Sequence, residues 1–444
     1  MASLKSLVGM MPPVEGGARG VTRSAPCPPH ASFGETNLNN AARSNRILFL
    51  CNFLSKGWEV GVLGLLAFIQ AKFNMPLYMV GILSMVFIVS QISISAFAGK
   101  IAHKLHSRNV LLLSIASSGF CWLTLFLSGH LYALFPAYML GGIASGLFEP
   151  IANSLVAKSS TSKERGTKIG NFAAFGDMGR ISVVAGTTAL AGLYGVNNAC
   201  IGLFSTAVIA FVLALLFIRR APDSEVEAAG ETPLRMGELL QNRRFRLATA
   251  AGIADSFSSA SLYIFIPFLL LAKGITIGNT LYFNVIFFFG YMSGRLALGR
   301  LADRFGAANT LMVSEISMAG LILLLTVVSG NSMTLIFALL YFLGIFTRGT
   351  SPIIRAMVAD SMDERVSFHD AFSAYSFASR SSSAVCRPIF GFLASFSGIG
   401  AVFYAASVVS LLTLYPAAQY KTANKSGHNN ARGDESTDEC KQAA

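Results

Sequence analysis

Charged side chains interrupt the apolar stretches of this chain at positions where a membrane-spanning helix would hold them far from water. They are the basic Lys56, Arg180, Arg348, Arg380 and Arg387 and the acidic Glu59, Glu149, Asp177 and Asp255. An ionisable group at the centre of a bilayer costs roughly 2.5–3.5 kcal/mol on insertion scales, so each needs a partner or a function. The basic residues are in excess, and guanidinium donors match carboxylate and phosphate groups. We therefore predict that the basic set binds an organic anion.

The acidic members of this set are candidates for carrying protons. A carboxyl group held away from water favours its uncharged form, so it can exchange a proton near neutral pH. We predict proton coupling through Glu59 first, then through Asp177 and Asp255, with Glu149 as a further candidate. No histidine lies at this depth in the predicted helices, so we expect no histidine relay.

Helical spacing places several of these residues on common faces. Lys56 and Glu59 are three residues apart, and so are Asp177 and Arg180. Each pair can neutralise itself, which is the alternative to a role in transport. A longer polar stripe with spacings of three and four consists of Ser373, Ser376, Arg380, Ser383 and Arg387. Such a stripe must face a wet cavity or a partner helix, although serines also serve close helix packing.

Three further charged residues lie closer to polar loops of the sequence. Arg295, Glu315 and Arg355 fall within about two helical turns of a predicted membrane surface. Long side chains at such positions can extend to the surface and keep their charge in water. We therefore expect these three residues to take no part in a binding site.

The composition identifies the medium that surrounds the chain. Of its 444 residues, 53% are hydrophobic and 13% are charged, whereas soluble domains carry about 25% charged residues. Apolar runs of about 20 residues indicate helices that cross a bilayer. Twelve such runs occur, at 47–70, 77–98, 109–129, 131–157, 169–193, 197–218, 247–272, 279–298, 309–329, 333–358, 370–396 and 398–418. The chain is predicted to be an all-α integral membrane protein.

The twelve predicted spans form two groups of six. The predicted segments are a disordered amino-terminal tail (1–45), an amino-terminal half (46–218), a linker (219–245), a carboxyl-terminal half (246–418) and a disordered carboxyl-terminal tail (419–444). The first tail is rich in Pro, Gly, Ser and Asn, which is typical of disorder. An organelle-targeting role is the alternative for it.

The distribution of lysine and arginine predicts the orientation. Loops on one side hold most of these residues, whereas the opposite loops hold Lys72 and Lys273. This bias predicts that the basic loops, the linker and both termini are cytoplasmic, in a plasma (inner) membrane. A net charge of +12 that is spread over loops argues against nucleic-acid binding. The six cysteines show no CxxC spacing, so neither a disulfide framework nor a metal site is expected.

The two halves resemble each other in sequence. The segment "GKIAHKLHSRNVLLLS" at 99–114 aligns with "GRLADRFGAANTLMVS" at 299–314, and the same shift of 200 residues aligns Arg180 with Arg380. Matches in separate, equivalent places indicate an internal duplication. Parallel halves of this kind are a transporter architecture that binds its substrate near the midplane between them.

The stretch "GRLADRFG" at 299–306 adds a family signature to these features. Its glycine, acidic and basic positions fit the pattern G-x-x-x-D-R-x-G, and with the duplicated twelve spans the chain resembles the major facilitator superfamily. The resemblance implies two pseudo-symmetric six-helix halves, alternating access, and a tight turn whose charges take part in gating. The matching residues are Gly99, Lys100 and Lys104 in the first copy and Gly299, Arg300, Asp303, Arg304 and Gly306 in the second. The first copy is weaker, because His103 and His106 replace the acid and the second glycine.

These features together predict a secondary transporter of a small organic anion, driven by protons or by exchange. The predicted ligands are Lys56, Arg180, Arg348, Arg380 and Arg387. We expect a monomer without cofactor or metal, and no enzyme motif or phosphate-binding loop occurs. The alternatives are a multidrug or metabolite efflux antiporter, a non-transporting receptor of the same fold, and a channel.

Overall fold

The computed structural model of the chain describes residues 31–158, 165–218, 241–276, 280–330, 332–362 and 368–424, and these residues are almost entirely helical. The predicted tails and linker lie largely outside the described residues, although the first helix begins within the segment 1–45. The helices are α1 (Ala31–Gly64), α2 (Leu66–Phe73), α3 (Leu77–Leu105), α4 (Ser107–Leu127), α5 (Leu134–Lys158), α6 (Arg165–Tyr194), α7 (Val196–Phe217), α8 (Arg243–Ala272), α9 (Thr280–Phe305), α10 (Ala307–Val327), α11 (Met333–Asp360), α12 (Phe368–Ser397) and α13 (Ile399–Leu412).

Helices α1 and α2 form one continuous span, so the described helices make twelve crossings. Ten of the crossings are long and apolar enough to span a bilayer by length and composition within the described residues. The other two are α6 and α12, which hold the repeat-related Arg180 and Arg380. The polar character of these two helices reflects the charged residues that the sequence places inside the bundle.

Two close helix contacts repeat between the halves. A Cβ atom on Gly142 of α5 would overlap the backbone oxygen of Phe87 on α3. A Cβ atom on Gly344 of α11 would overlap the backbone oxygen of Phe287 on α9 in the same way. Phe87 and Phe287 are 200 residues apart, so equivalent helices approach each other at equivalent glycines. Close approach of this kind requires the absence of a side chain.

The stretch 299–306 forms the end of a helix rather than a loop. Helix α9 continues to Phe305 and α10 begins at Ala307, with Gly306 between them at φ 86°. In the first half α3 continues to Leu105, and His106 occupies the equivalent turn at φ 64°. The prediction that these spans end near 298 and 98 was therefore too short. Each connection needs only one non-helical residue, and that residue has a positive φ.

Replacing His106 by glycine is expected to stabilise the protein. A positive φ with extended ψ costs a residue with a side chain about 1–3 kcal/mol, whereas glycine adopts it readily. We expect His106→Gly to increase the free energy of unfolding by about 1 kcal/mol, and therefore to raise the melting temperature (Tm) of the purified protein. The reciprocal substitution Gly306→His should lower Tm. Unchanged Tm in both variants would contradict strain at this turn.

The halves are in contact at the end of the bundle that carries the turn at Asn74 and the turn at Gly398. We call this end the distal side, and we call the end with the turns at His106 and Gly306 the basic side. Near the distal side the backbone nitrogen of Tyr78 on α3 donates to Ser395 Oγ on α12 at 2.9 Å. The side chain of Tyr78 also stacks on Phe392, with ring centroids 5.4 Å apart.

A third contact between the halves lies deeper in the bundle. Tyr263 on α8 donates from its hydroxyl to the backbone oxygen of Val60 on α1 at 3.1 Å. The same hydroxyl occupies the place of a Cβ atom on Gly64. Together with the contact between α3 and α12, this interaction closes the distal part of the interface.

One of the two distal lysines is a helix cap. Lys273 follows α8 and donates from Nζ to the backbone oxygens of Thr326 and Val328 at the end of α10. These carbonyl groups have no partner inside their own helix. Partial burial lowers the pKa of Lys273. Lys273 therefore caps the carboxyl-terminal end of α10.

Candidate functional site

Seven charged residues from both halves meet in the middle of the bundle. We call them the interface cluster: Lys56 and Glu59 on α1, Glu149 on α5, Asp177 and Arg180 on α6, Arg295 on α9, and Arg380 on α12. Asp177 and Arg380 each lie twelve residues after the first residue of their helix, about 18 Å along the axis. The cluster therefore lies near the level where a bilayer would have its centre.

Glu149 connects the two halves through a single oxygen atom. Its Oε2 accepts from Lys56 Nζ at 3.0 Å and from Arg380 Nη2 at 3.0 Å. Lys56 Nζ also lies 3.4 Å from an oxygen of Glu59, and Gln91 donates to the other oxygen of Glu59 at 3.5 Å. The side chains of Glu149 and Arg380 are 32% and 35% exposed, so solvent reaches this bridge.

Asp177 forms the second bridge between the halves. One of its oxygens accepts from Arg180 Nη1 and the other from Arg295 Nη1. Arg295 also lies over the ring of Tyr291, 5.8 Å from its centroid, and the Tyr291 hydroxyl is 3.4 Å from Arg180 Nη1. The Asp177 side chain is only 6% exposed. Asp177 therefore joins α6 to α9 in a nearly dry setting.

The interface cluster has one net positive charge. It contains four cations and three carboxylates, and Asp177 and Glu149 each hold two cations. Guanidinium and ammonium groups that donate to a shared carboxylate can bind another anion if the carboxylate moves away.

Two of the charged residues predicted from the sequence lie apart from this cluster, and the side chain of a third lies outside the described part of the structure. Arg387 is 3% exposed and donates from Nη1 to the backbone oxygen of Ser84 at 2.9 Å, within the contact between α12 and α3. Asp255 is 6% exposed and accepts from Thr350 Oγ1 at 2.8 Å, inside the carboxyl-terminal half. The backbone of Arg348 belongs to α11, but its side chain lies outside the described part of the structure.

The family-signature residues lie at the basic ends of α3 and α9. Five of their charged side chains are exposed, namely Lys100, Lys104, Arg300, Asp303 and Arg304. A Cβ atom on Gly99 or Gly299 would meet nothing within 4 Å, so no close approach requires glycine there in this conformation. Gly306 is required for its backbone angle. A gating role for this set stays a prediction.

Two residues set aside in the sequence analysis are buried in the structure. Because α9 extends to Phe305, Arg295 lies ten residues, or about 15 Å, from the helix end. Glu315 is 0% exposed. The expectation that both reach the membrane surface is therefore wrong, whereas Arg355 is exposed as expected. The available signal for Arg295 was Tyr291, four residues earlier and on the same helical face.

A small cavity lies beside Glu59 within the amino-terminal half. Its empty volume is about 200 Å³, and it is lined by Trp58, Glu59, Val62, Phe87, Ser118, Cys121, Trp122, Gly141 and Ser145. That volume includes space open to solvent, so the room for a solute is far below the roughly 300–1,000 Å³ of small-molecule sites. The serine hydroxyls and the carboxylate suit an ordered water. We therefore assign this cavity to the hydration of Glu59 rather than to a solute.

The amino-acid sequence matches the family model described as Major Facilitator Superfamily over residues 48–285 and 248–437. The chain belongs to the major facilitator superfamily. The two matches overlap at 248–285 and together cover residues 48–437. Membership makes the chain a multi-pass membrane transporter of small solutes rather than an enzyme. The interface cluster therefore lies between the two halves of a major facilitator transporter.

Solved structures agree with this assignment at the level of the fold. The nucleoside transporter NupG, in a single-residue mutant form, is 12% identical with a TM-score of 0.71, covering 85% of this chain and 99% of that protein. A bacterial homologue of the human lysosomal transporter Spinster, described as inward-facing and unoccupied, is 14% identical with a TM-score of 0.65. That match covers 86% of this chain and 96% of the homologue. No curated protein sequence matches the chain.

These matches confirm the predicted fold class. The protein is an all-α membrane protein with twelve transmembrane helices in two pseudo-symmetric halves of the major facilitator type. The identities of 12% and 14% show likeness of fold alone. The cargo must therefore be inferred from the residues of this chain.

Proposed function

We propose that this protein is a secondary active transporter of a small organic anion that works by alternating access. The observation that carries the proposal is the interface cluster, which is positive, lies between the two halves and is partly open to water. Transporters built from parallel repeats bind their substrates near the midplane at the repeat interface. A carboxylate or phosphate group matches the donors present there.

Arg380 and Lys56 are the leading ligands in this proposal. They come from opposite halves and already share one anionic partner, the Oε2 atom of Glu149. A substrate carboxylate can replace that oxygen and keep both charge-assisted hydrogen bonds. Arg180 and Arg348 are supporting ligands. Arg387 is less suitable, because it is enclosed in the contact between α12 and α3.

Glu149 is the best candidate for coupling proton movement to the anion. A protonated Glu149 no longer competes for Lys56 and Arg380, so proton binding and anion binding favour each other. This coupling is reciprocal, as linkage requires. Glu59, the first choice from the sequence, contacts Lys56 and Gln91 of its own half. Its proposed role, like that of Asp177 and Asp255, is secondary.

The Glu149→Gln variant tests this coupling. Glutamine imitates the protonated carboxyl, so we expect anion affinity to become independent of pH and anion accumulation driven by a pH gradient to be lost. Binding to the purified protein and uptake into proteoliposomes measure the two effects. Glu59→Gln is the matched control, which keeps the bridge between Lys56 and Arg380. Retained gradient-driven accumulation in Glu149→Gln would remove Glu149 from the coupling step.

We assign the described conformation to a state closed on the distal side. The contacts of α3 with α12 and of α8 with α1 lie at or beyond the level of the interface cluster. We propose that the basic side and both termini face the cytoplasm of a plasma (inner) membrane, in a monomer. Opening toward the distal side would have to break or rearrange the bridges through Glu149 and Asp177.

A ligand screen tests the proposed function. The purified protein is heated with carboxylates, with sugar phosphates and with lipophilic cations, and its Tm is recorded. We expect stabilisation by anions, and saturable counterflow of the same anions in proteoliposomes. Stabilisation by lipophilic cations alone would favour an efflux antiporter. Binding without exchange would indicate a receptor, and unsaturable flux would indicate a channel.

A further inference from the structure

Helices α1 and α6 of the amino-terminal half approach each other at glycines beside charged residues of the interface cluster. Gly57 follows Lys56 on α1, and Gly179 precedes Arg180 on α6. A Cβ atom on Gly179 would overlap the backbone oxygen of Phe53 on α1, and one on Gly57 would lie 2.8 Å from the backbone oxygen of Gly179. Backbones approach this closely only where no side chain stands between them.

Gly176, which lies one turn before this backbone contact on α6, meets side chains of α1. A Cβ atom on Gly176 would lie 3.1 Å from Cγ of Lys56 and 2.8 Å from Nδ2 of Asn52. Asn52 is 2% exposed, and its Nδ2 donates to the backbone oxygen of Phe172 on α6 at 2.6 Å. The Asn52 amide is therefore held in place. The Lys56 side chain lies against α6 in the space that the missing Cβ atom leaves.

The path of the Lys56 side chain determines where its ammonium group lies. Nζ is 3.0 Å from Oε2 of Glu149 on α5 and 3.4 Å from Oε2 of Glu59, and the side chain is 15% exposed. Atoms in ordinary van der Waals contact lie about 3.5–4.0 Å apart. A methyl group at position 176 would therefore push the Lys56 side chain away from α6 at Cγ, three bonds before Nζ, and the ammonium group would move with it.

The fold of a half does not itself require glycine at this place. The shift of 200 residues that relates the halves aligns Lys56 with Ser256 and Gly176 with Ser376. In the carboxyl-terminal half, α8 and α12 meet with side chains between them, because the hydroxyl groups of Ser256 and Ser379 are hydrogen bonded at 2.5 Å. Glycine at position 176 therefore belongs with the long side chain of Lys56, whereas the other half has short serines.

We infer that Gly176 is a positioning residue for Lys56. Because Gly176 has no side chain, Lys56 can lie against α6 and place its ammonium group on Glu149, which in turn accepts from the other half. A side chain at position 176 moves the ammonium group off Glu149. This positioning does not depend on what is transported, whereas its effect on anion binding rests on the proposed function.

Cross-linking of the purified full chain by a carbodiimide tests the inference, because this reagent joins an amine to a carboxyl group in contact with it. We expect mass spectrometry to find the amide between Lys56 and Glu149 in the wild type, and its yield to fall several-fold in Gly176→Ala. Lys56→Arg should remove the product, which confirms its assignment. Gly186→Ala is the matched control, because a Cβ atom on Gly186 of the same helix would meet nothing within 4 Å.

A second variant keeps the test decisive if Gly176→Ala fails to fold. Gly176→Ser introduces the residue that the other half has at the aligned position, and it should lower the yield in the same way. Undiminished yield in the folded Gly176 variants would overturn the inference. An equal loss of yield in Gly186→Ala would show that any side chain added to α6 disturbs the bridge, and it would also overturn the inference.

Anion binding separates this inference from the proposed function, with inorganic phosphate and acetate as the probes. Gly176→Ala should weaken binding by roughly 10-fold, the equivalent of one hydrogen bond to a charged group. It should add no further loss to Lys56→Met if it acts only through Lys56. A further loss in that background would overturn the inference. Loss of the cross-link with unchanged affinity would support the positioning of Lys56 and contradict its proposed role as a ligand.

Discussion

Replacing Arg380 by alanine is expected to weaken binding of the transported anion by about 10- to 100-fold. Hydrogen bonds to charged groups contribute roughly 1.5–3 kcal/mol each. Arg380 is the residue of the carboxyl-terminal half that donates to Glu149, and we expect it to donate to the anion in the same way. Arg380→Lys should recover part of the loss, because lysine keeps the charge but not the paired donors. Equilibrium binding to the purified protein and the KM of uptake measure the effect.

Arg355→Ala is the matched control for this prediction. Arg355 is an exposed arginine near the basic end of α11, so its removal changes the net charge equally without touching the interface cluster. We expect Arg355→Ala to bind the anion as the wild type does. Unchanged affinity in both Arg380→Ala and Arg348→Ala would show that the anion binds elsewhere.

Neutralising Asp177 is expected to change the balance between conformations of the protein. Asp177→Asn leaves Arg180 and Arg295 facing each other without their shared carboxylate. Removing one partner of a buried ion pair costs about 3–5 kcal/mol. Because the Arg295 side chain is 31% exposed, solvent reduces this cost, and we expect roughly 2 kcal/mol. This corresponds to a change of about 30-fold in the population of the distally closed state.

The distance between labels on the two halves measures this change in population. Asp360→Asn is the control, because Asp360 is an exposed acid at the end of α11 and belongs neither to the interface cluster nor to the family-signature residues. In a double-mutant cycle, Arg295→Met should have little further effect once Asp177 is neutral. Identical distance distributions for Asp177→Asn and the wild type would show that this bridge does not hold the halves together.

The sequence allowed the charged core of the site to be predicted but not its pairing. The cost of placing charge in a bilayer selected Lys56, Glu149 and Arg380 from their positions in apolar runs. The hydrogen bonds from Lys56 and Arg380 to Glu149 depend on how α1, α5 and α12 approach one another. The spacing of residues within a single helix contains no information about that approach. The spacing did identify Asp177 with Arg180, because both residues belong to one helix.

Helix ends were the main source of error. Arg295 was placed near the surface because "GRLADRFG" contains charges and glycines that are typical of a loop. The chain instead stays helical to Phe305, and one residue with positive φ makes the turn. Glu315 was misjudged for the same kind of reason, since depth along a helix does not reveal which neighbours enclose a side chain. Glu315 is fully buried and accepts from Ser410 of α13.

Arg387 shows how packing can override a polar stripe. It shares a helical face with Arg380, and the stripe predicted that both residues face a wet cavity or a partner helix, with both as ligands of the anion. In the structure α12 lies against α3 so closely that a Cβ atom on Gly81 would overlap the backbone oxygen of Arg387. The guanidinium group therefore ends on a backbone carbonyl of the other half. Arg387, which is nearer the distal side, lies in the contact between α12 and α3. Arg380, which is nearer the basic side, belongs to the interface cluster.

We propose that the two halves move about an anion held at the interface cluster. Spin labels at Leu105 and Phe305, which are 47% and 56% exposed at the basic ends of α3 and α9, report the separation of the halves in proteoliposomes. Saturating anion from the ligand screen should produce a population with a shorter distance in the wild type and not in Arg380→Ala. A single distance that stays the same while the anion is being transported would contradict the account.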